Sequence, residues 1–211
     1  MFDLLLAGGP FMFCTLTLSV IIVSVFVWRV IVLYGGSRAN KYLLAQVLRF
    51  IEQQAFLKAT QLCSMSNSPL AKILKAALMR SDRTEKELRR GVEAVALEEL
   101  PKVKTGTVLL PQMSNLATLF GLVGTIHGLI IAFKGAGSES AATRQAILSQ
   151  GIAIAFYNTF FGLIVATAGI IFYLVLLVKM NSVVAMMEHS AAKLVDAILM
   201  ARAGGGRDKQ G

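Results

Sequence analysis

The sequence predicts an all-α membrane protein with three transmembrane helices. Of its 211 residues, 55% are hydrophobic and only 16% are charged, and the mean hydropathy is +0.66, a composition typical of membrane proteins. Three apolar runs each reach the roughly 20 residues that cross a bilayer as a helix. We call them spans one, two and three, and they cover residues 10–34, 111–133 and 150–178.

Span one, residues 10–34, contains a single charge, Arg29, near its end. Residues 1–9 have no Lys or Arg and the apolar run is too long for a cleaved signal peptide, so we expect this span in the mature protein. Trp28, Arg29 and Tyr34 are expected to anchor its inner end, with Arg29 extended toward the lipid headgroups. Cys14 in this span and Cys63 beyond it are not expected to form a disulfide.

The positions of Lys and Arg predict the orientation, because cytoplasmic flanks retain basic residues during insertion. Residues 35–110 hold 13 of the 21 basic residues and residues 179–211 hold five, whereas residues 1–9 hold none and residues 134–149 hold two. We therefore expect an N-terminus on the outside over 1–9, a cytoplasmic segment over 35–110, an outer loop over 134–149 and a cytoplasmic C-terminal helix with a disordered tail over 179–211. The net charge of +9 then reflects topology, and nucleic acid is not an expected partner.

The segment 35–110 is predicted to be helical. Apolar residues recur at helical spacing from residue 40 to residue 63. Ser68 before Pro69 predicts an N-cap with a first-turn proline, and Thr84 with Glu87 predicts a capping box. Since proline need not end a helix, we expect span two to continue helically into the cytoplasmic segment. Three acidic residues on the helix before span two could form a cation-attracting vestibule or simply a solvated face: Glu93, Glu98 and Glu99.

Spans two and three carry polar side chains but no Asp, Glu, Lys or Arg. In span two, Asn115, Thr118 and Thr125 share one helix face, and Gly124 with Gly128 forms a GxxxG pair. In span three, small residues follow steps of four and three around Thr159 and form one continuous stripe. This stripe predicts either a seam for tight helix packing or a smooth surface for contact with a partner helix, and its members are Gly151, Ala155, Gly162, Ala166 and Gly169.

These motifs, GLVGTIHGLI in span two and SQGIAIAFYNTFFGLIVA in span three, resemble those of the ExbB/TolQ/MotA proton-channel family. The three spans, the outside N-terminus and the large basic inside segment resemble the ExbB and TolQ branch. The resemblance implies a bacterial inner-membrane subunit that forms a pentameric ring around two single-span partners similar to ExbD or TolR. It also implies that each partner helix carries the proton-binding aspartate and that Thr125 and Thr159 line the pore.

A proton site inside the membrane needs a group that can bind and release the proton, and spans two and three contain no carboxylate. The titrating carboxylate must therefore come from elsewhere. A bare carboxylate at the bilayer centre costs at least about 2.5 kcal/mol. A threonine hydroxyl can donate to the ionised acid and accept from its protonated form, without a fixed charge that would trap it. We therefore expect Thr125, Thr159, Thr118 and Asn115 to line a proton pathway that drives work on an envelope client such as outer-membrane transport, envelope maintenance or gliding.

Several features leave alternatives open. Ile154 stands where many family members carry an acidic residue, which puts a proton exit through that position in doubt and suggests a diverged client such as surface motility. His127 could relay protons or hydrogen-bond a neighbouring helix. Tyr157 and Asn158 are expected to make subunit-interface hydrogen bonds rather than line the pore. A sodium-driven motor and a non-conducting membrane scaffold remain the rival interpretations; no enzyme motif, cofactor or metal site is expected.

Overall fold

The computed structural model describes residues 9–135 and 140–205 and is all-helical over that part of the chain. Six α-helices follow one another: α1 is Pro10–Glu52, α2 is Phe56–Ser64, α3 is Pro69–Leu78, α4 is Glu85–Lys104, α5 is Leu109–Gly135 and α6 is Ala141–Gly205. Residues 1–8 of the predicted periplasmic N-terminus, residues 136–139 of the predicted loop and residues 206–211 of the predicted tail lie outside the described residues.

Three of these helices are long and apolar enough to cross a membrane, as the sequence predicts. The apolar runs of spans one, two and three lie within α1, α5 and α6, respectively. Helices α1 and α6 continue past their apolar runs without a break, over 43 and 65 residues. The chain divides into two compact units: unit 1 is Met1–Arg29 with Gly106–Leu176, and unit 2 is Val30–Thr105 with Leu177–Gly211.

Unit 2 is a small helical domain with an apolar core. Buried side chains from α1, α2, α3, α4 and the later part of α6 form one cluster, in which Leu74, Leu88 and Leu194 are fully buried. Full burial of such a side chain contributes about 1.5–3 kcal/mol. The Ser68 side chain accepts a hydrogen bond from the backbone N–H of Ala71 at 3.1 Å, and Thr84 and Glu87 form a capping box. Both predicted helix starts are confirmed.

The expected continuous helix into span two is wrong. Helix α4 ends at Lys104 and α5 begins at Leu109, with Gly106 between them at φ +87°. This left-handed conformation suits glycine, since a side chain there would be strained. Pro101 lies inside α4 and does not end it. The helix predicted over residues 40–63 is also interrupted, at Gln54 with φ 56°.

Unit 1 contains the beginning of α1, all of α5 and the first part of α6. Two ring contacts bring α1 against the others: Phe26 stacks on Phe172 with centroids 4.2 Å apart, and Phe11 meets His127 edge to face at 5.4 Å. Arg29, only 4% exposed, donates from Nε to the Thr107 hydroxyl oxygen at 3.0 Å. The expectation that Arg29 extends to the headgroups is wrong, because its stem packs beside Gly106 instead.

Candidate functional site

Helices α5 and α6 touch backbone to backbone along a seam of glycines. A Cβ placed on Gly162 would lie 2.9 Å from the Cα of Gly121, and one placed on Gly128 would lie 2.7 Å from the backbone nitrogen of Ala155. A Cβ at such distances would clash, so only the hydrogen atom of a glycine fits at these positions. We call this contact the glycine seam, and it accounts for the GxxxG pair and for much of the small-residue stripe.

All five residues of the predicted stripe are buried against other helices of this same chain. Gly151 lies against Gly128 and Ala132, Gly162 lies against Gly121 and Ala117, and Gly169 lies against Ser114 and Ile22. Ala155 and Ala166 are 6% and 5% exposed. Of the two interpretations of the stripe, tight helix packing within the chain agrees with the observed positions of its members: Gly151, Ala155, Gly162, Ala166 and Gly169. Contact of these residues with a partner helix stays a prediction.

Asn158 lies inside the glycine seam. Its side chain fills the space opposite Gly124, whose Cβ would fall 2.5 Å from the Asn158 Cγ, and its Nδ2 donates to the carbonyl of Ile154 at 3.0 Å. The residue is 2% exposed, so the expected role at a subunit interface does not describe its position. Tyr157, 36% exposed, lies on the chain's surface.

The contacts across the seam also place Thr125 and Thr159 at similar heights. Gly124 lies opposite Asn158, and Gly121 approaches the Cα of Thr159. Thr125 directly follows Gly124, and Thr159 directly follows Asn158, which lies opposite Gly124. The heights of the two threonines therefore differ by no more than about one helical turn, given a rise of about 1.5 Å per residue. The sequence could not supply this register, because it requires knowing which glycines meet.

Both threonines lie on the side of the α5–α6 pair that faces away from α1. Helix α1 contacts α5 at His127 and α6 at Phe172. At about 100° per residue, His127 is about 200° from Thr125, and Phe172 is about 220° from Thr159. Thr118 and Asn115 are exposed on the same flank of α5. We call this flank the threonine edge; it consists of Asn115, Thr118, Thr125 and Thr159.

The hydroxyls of the threonine edge bond to their own helices. Thr125 donates to the Leu122 carbonyl at 2.6 Å, Thr118 to the Ser114 carbonyl at 3.3 Å, and Thr159 to the Ala155 carbonyl at 3.4 Å. Each oxygen keeps lone pairs that can accept from another group, and each hydroxyl can rotate to donate elsewhere. The edge thus offers neutral donors and acceptors on an otherwise apolar surface.

His127 is not on the threonine edge. It faces α1, with its ring against Phe11, and its buried Nδ1 has no hydrogen-bond partner among the described residues. The structure therefore places it on the far side of α5 from Thr125. A relay that joins His127 to the two threonines would have to pass around the helix.

Glu99 belongs to the packing of unit 2 rather than to an open vestibule. It is 3% exposed and accepts from Lys102 at 2.7 Å and from Lys72 at 3.1 Å. The hydrogen bond from Lys102, with help from Lys72, lowers the pKa of Glu99 below its usual value. Glu98 is exposed and pairs with Lys102 at 2.9 Å, while the described residues contain no group of three possible metal ligands.

Comparison with known proteins identifies the family. The sequence model of the MotA/TolQ/ExbB proton channel family matches residues 65–189, which include α5 and the seam-forming part of α6. The chain belongs to this family, in its ExbB branch. It is a membrane protein of the proton-channel type, and ExbB-family members in general work with ExbD/TolR-like partners.

Three relatives illustrate the extent of the similarity to ExbB proteins. The biopolymer transport protein ExbB-like 3 of Synechocystis sp. is 31% identical over 76% of this chain and 74% of its own length. ExbB-like 1 of the same organism is 30% identical over 82% of this chain and 69% of its own length. The biopolymer transport protein exbB1 of Vibrio cholerae is 28% identical over 54% of this chain, and the match spans 51% of that protein.

Proposed function

We propose that this protein is the proton-channel subunit of a bacterial inner-membrane motor, and that its threonine edge lines the proton path. The observation that supports the proposal is the edge itself: four uncharged polar residues lie on one flank of the α5–α6 pair, within the apolar runs of spans two and three, with Thr125 and Thr159 at similar heights. Neither span supplies a carboxylate, so the proton-binding aspartate belongs to a partner.

The partner in this proposal is a dimer of single-span subunits resembling ExbD or TolR, enclosed by a pentamer of this chain. When its aspartate is ionised, Thr125 and Thr159 donate hydrogen bonds to it and offset part of the cost of burying the charge. When it is protonated, a threonine oxygen accepts its O–H. Since no residue on the edge carries a charge, the proton remains free to leave.

The direction of work follows from the membrane potential. One proton crossing the membrane releases about 2.3 kcal/mol per 100 mV. In the proposed orientation, with residues 1–9 and 134–149 periplasmic, protons enter from the periplasm and leave to the cytoplasm while the partner helix turns within the ring. The mechanical output serves an envelope client.

The test uses the full chain reconstituted with its ExbD/TolR-like partner in proteoliposomes, with a pH-sensitive dye inside. We expect Thr159→Val to reduce proton flux by about tenfold or more, because it keeps the side-chain shape and removes the hydroxyl. Thr159→Ser should retain most of the flux. Thr17→Val is the matched control, since Thr17 is exposed in α1 and bonds only to the Phe13 carbonyl of its own helix.

Three outcomes contradict the proposal. Equal flux in the Thr159→Val and wild-type complexes would remove the role of the hydroxyl. A potential-driven flux that depends on sodium rather than on protons would show that sodium is the transported ion. The absence of any flux in a correctly assembled wild-type complex would favour a non-conducting scaffold.

A further inference from the structure

An open cavity of about 530 Å³ lies in unit 2, beside the turn that joins α3 to α4. Its lining combines three arginines with one acid and one exposed apolar side chain: Met79, Arg80, Arg83, Glu87 and Arg90. None of these residues belongs to the glycine seam or the threonine edge. The cavity is therefore a separate feature, and its use does not depend on the proposed proton path.

The arginines of the cavity have spare hydrogen-bonding capacity. The side chains of Arg83 and Arg90 are exposed and make no ion pair or hydrogen bond with the rest of the described chain. Arg80 donates from one nitrogen to the Ala76 carbonyl at 3.1 Å. Its guanidinium lies over Gly91, where a Cβ would collide with it, so Gly91 makes room for the charge at this place.

The lining holds three arginines and one acid, so Glu87 can offset only part of the positive charge. One carboxylate oxygen of Glu87 accepts from both the backbone N–H and the hydroxyl of Thr84, at 3.2 and 3.0 Å, which commits it to the helix cap. A fourth guanidinium, that of Arg202, donates to the carbonyl of Arg83 at 2.6 Å. An anionic group in the opening would be attracted by these positive charges.

We propose that this cavity binds an acidic peptide segment of a soluble partner protein. Guanidinium groups match carboxylates with paired, charge-assisted hydrogen bonds, and three arginines around one opening can meet several carboxylates along a segment. Met79 is 70% exposed and supplies an apolar contact beside them. Arginine and methionine are both enriched where proteins meet proteins, which favours a peptide over a small inorganic anion.

The binding experiment uses the full-length protein in detergent and a fluorescein-labelled twelve-residue probe that repeats Glu-Glu-Leu. We expect saturable binding by fluorescence anisotropy that weakens steeply between about 0.1 and 0.5 M NaCl, because the contacts are ionic. The Arg83→Ala/Arg90→Ala variant should bind at least about tenfold more weakly. Its thermal stability should be unchanged, since both side chains are exposed and the bond to the Arg83 carbonyl remains.

The matched control is Arg49→Ala/Lys58→Ala, which removes two exposed positive charges of unit 2 outside the cavity and should bind like the wild type. Equal losses in the two double variants would mean that only net charge matters, and would overturn the proposal. Lack of saturable binding to the wild type would do so as well. Full displacement of the probe by inorganic phosphate, at constant ionic strength, would assign the cavity to phosphate instead.

Discussion

The side chain of Asn158 occupies the space that a Cβ on residue 124 would need: the Cβ of such a residue would lie 2.6 Å from the Asn158 Cβ and 2.5 Å from its Cγ. A polar side chain is thus buried between two apolar helices only because glycine stands opposite. The pair sets the rotation of α6 against α5 at the height of the two threonines.

Gly124→Ala should destabilise the protein by about 1–3 kcal/mol, because the added methyl group must push Asn158 or the helices apart. The measurement is the denaturation midpoint in detergent. Asn158→Ala in the Gly124→Ala background should recover part of the loss, since the opposing side chain is gone. Additive effects of the two substitutions would show that the residues do not interact in this way.

Gly106→Ala should also destabilise, by about 1–2 kcal/mol, because alanine is strained at φ +87°. Its Cβ would in addition lie 3.3 Å from the Arg29 Cδ. Gly35→Ala is the control: Gly35 lies inside α1 with nothing within 4 Å of a Cβ, so alanine there should stabilise by about 1 kcal/mol. A stabilising effect at both positions would contradict the assigned conformation of Gly106.

Glu99→Gln should remove part of the acid sensitivity of unit 2. The pKa of Glu99 is lowered in the folded state by the hydrogen bond from Lys102, so its contribution to stability is present above the unfolded pKa of about 4.3 and is lost as the pH falls through the lower folded value. The variant should be less stable near pH 7 and should lose less stability between neutral and acidic pH. Urea denaturation at several pH values measures both effects.

Glu98→Gln provides the comparison, since Glu98 pairs with the same Lys102 but its side chain is 71% exposed. It should change stability by less than about 1 kcal/mol, as expected for a surface ion pair. Equal losses in the Glu98 and Glu99 variants would contradict the buried role of Glu99.

Cys63 should resist thiol reagents in the folded protein. Burial raises the pKa of its thiol to about 11, so about one molecule in a thousand carries a thiolate at pH 8. In a Cys14→Ser background, alkylation by N-ethylmaleimide should be slow until the chain is denatured. The control moves the thiol by one residue, in Cys63→Ser/Ser64→Cys, and should be labelled rapidly because position 64 is exposed. Similar alkylation rates for thiols at positions 63 and 64 would contradict the burial of Cys63.

Local signals in the sequence predicted the local structure well. Ser68 and Pro69 begin α3, and Thr84 with Glu87 begins α4, because caps depend on residues three or four positions apart. The apolar runs likewise predicted three long membrane helices, since length and hydropathy alone decide whether a helix can span.

Features that depend on which elements meet could not be predicted. A stripe of small residues indicates close approach but does not say to which helix, and the sequence left packing and partner contact open for Gly162. Arg29 was placed at the lipid headgroups because nothing local pointed to Thr107, 78 positions away. Glu99 differs from Glu98 in being buried and in facing Lys72 as well as Lys102, and neither difference can be read from the local sequence.

The glycine seam restricts how this protein can evolve. At Gly121, Gly124, Gly128, Gly151 and Gly162 a new Cβ would stand within about 3 Å of an atom of the facing helix, so single substitutions at these sites are expected to destabilise the protein. If the threonine edge lines the proton path as proposed, changes of ion preference or of partner are expected at the margin of the contact, where Thr118, Thr125 and Thr159 can be exchanged without parting the helices. In a saturation library, we expect the seam to be invariant while its border supplies the adaptive variants.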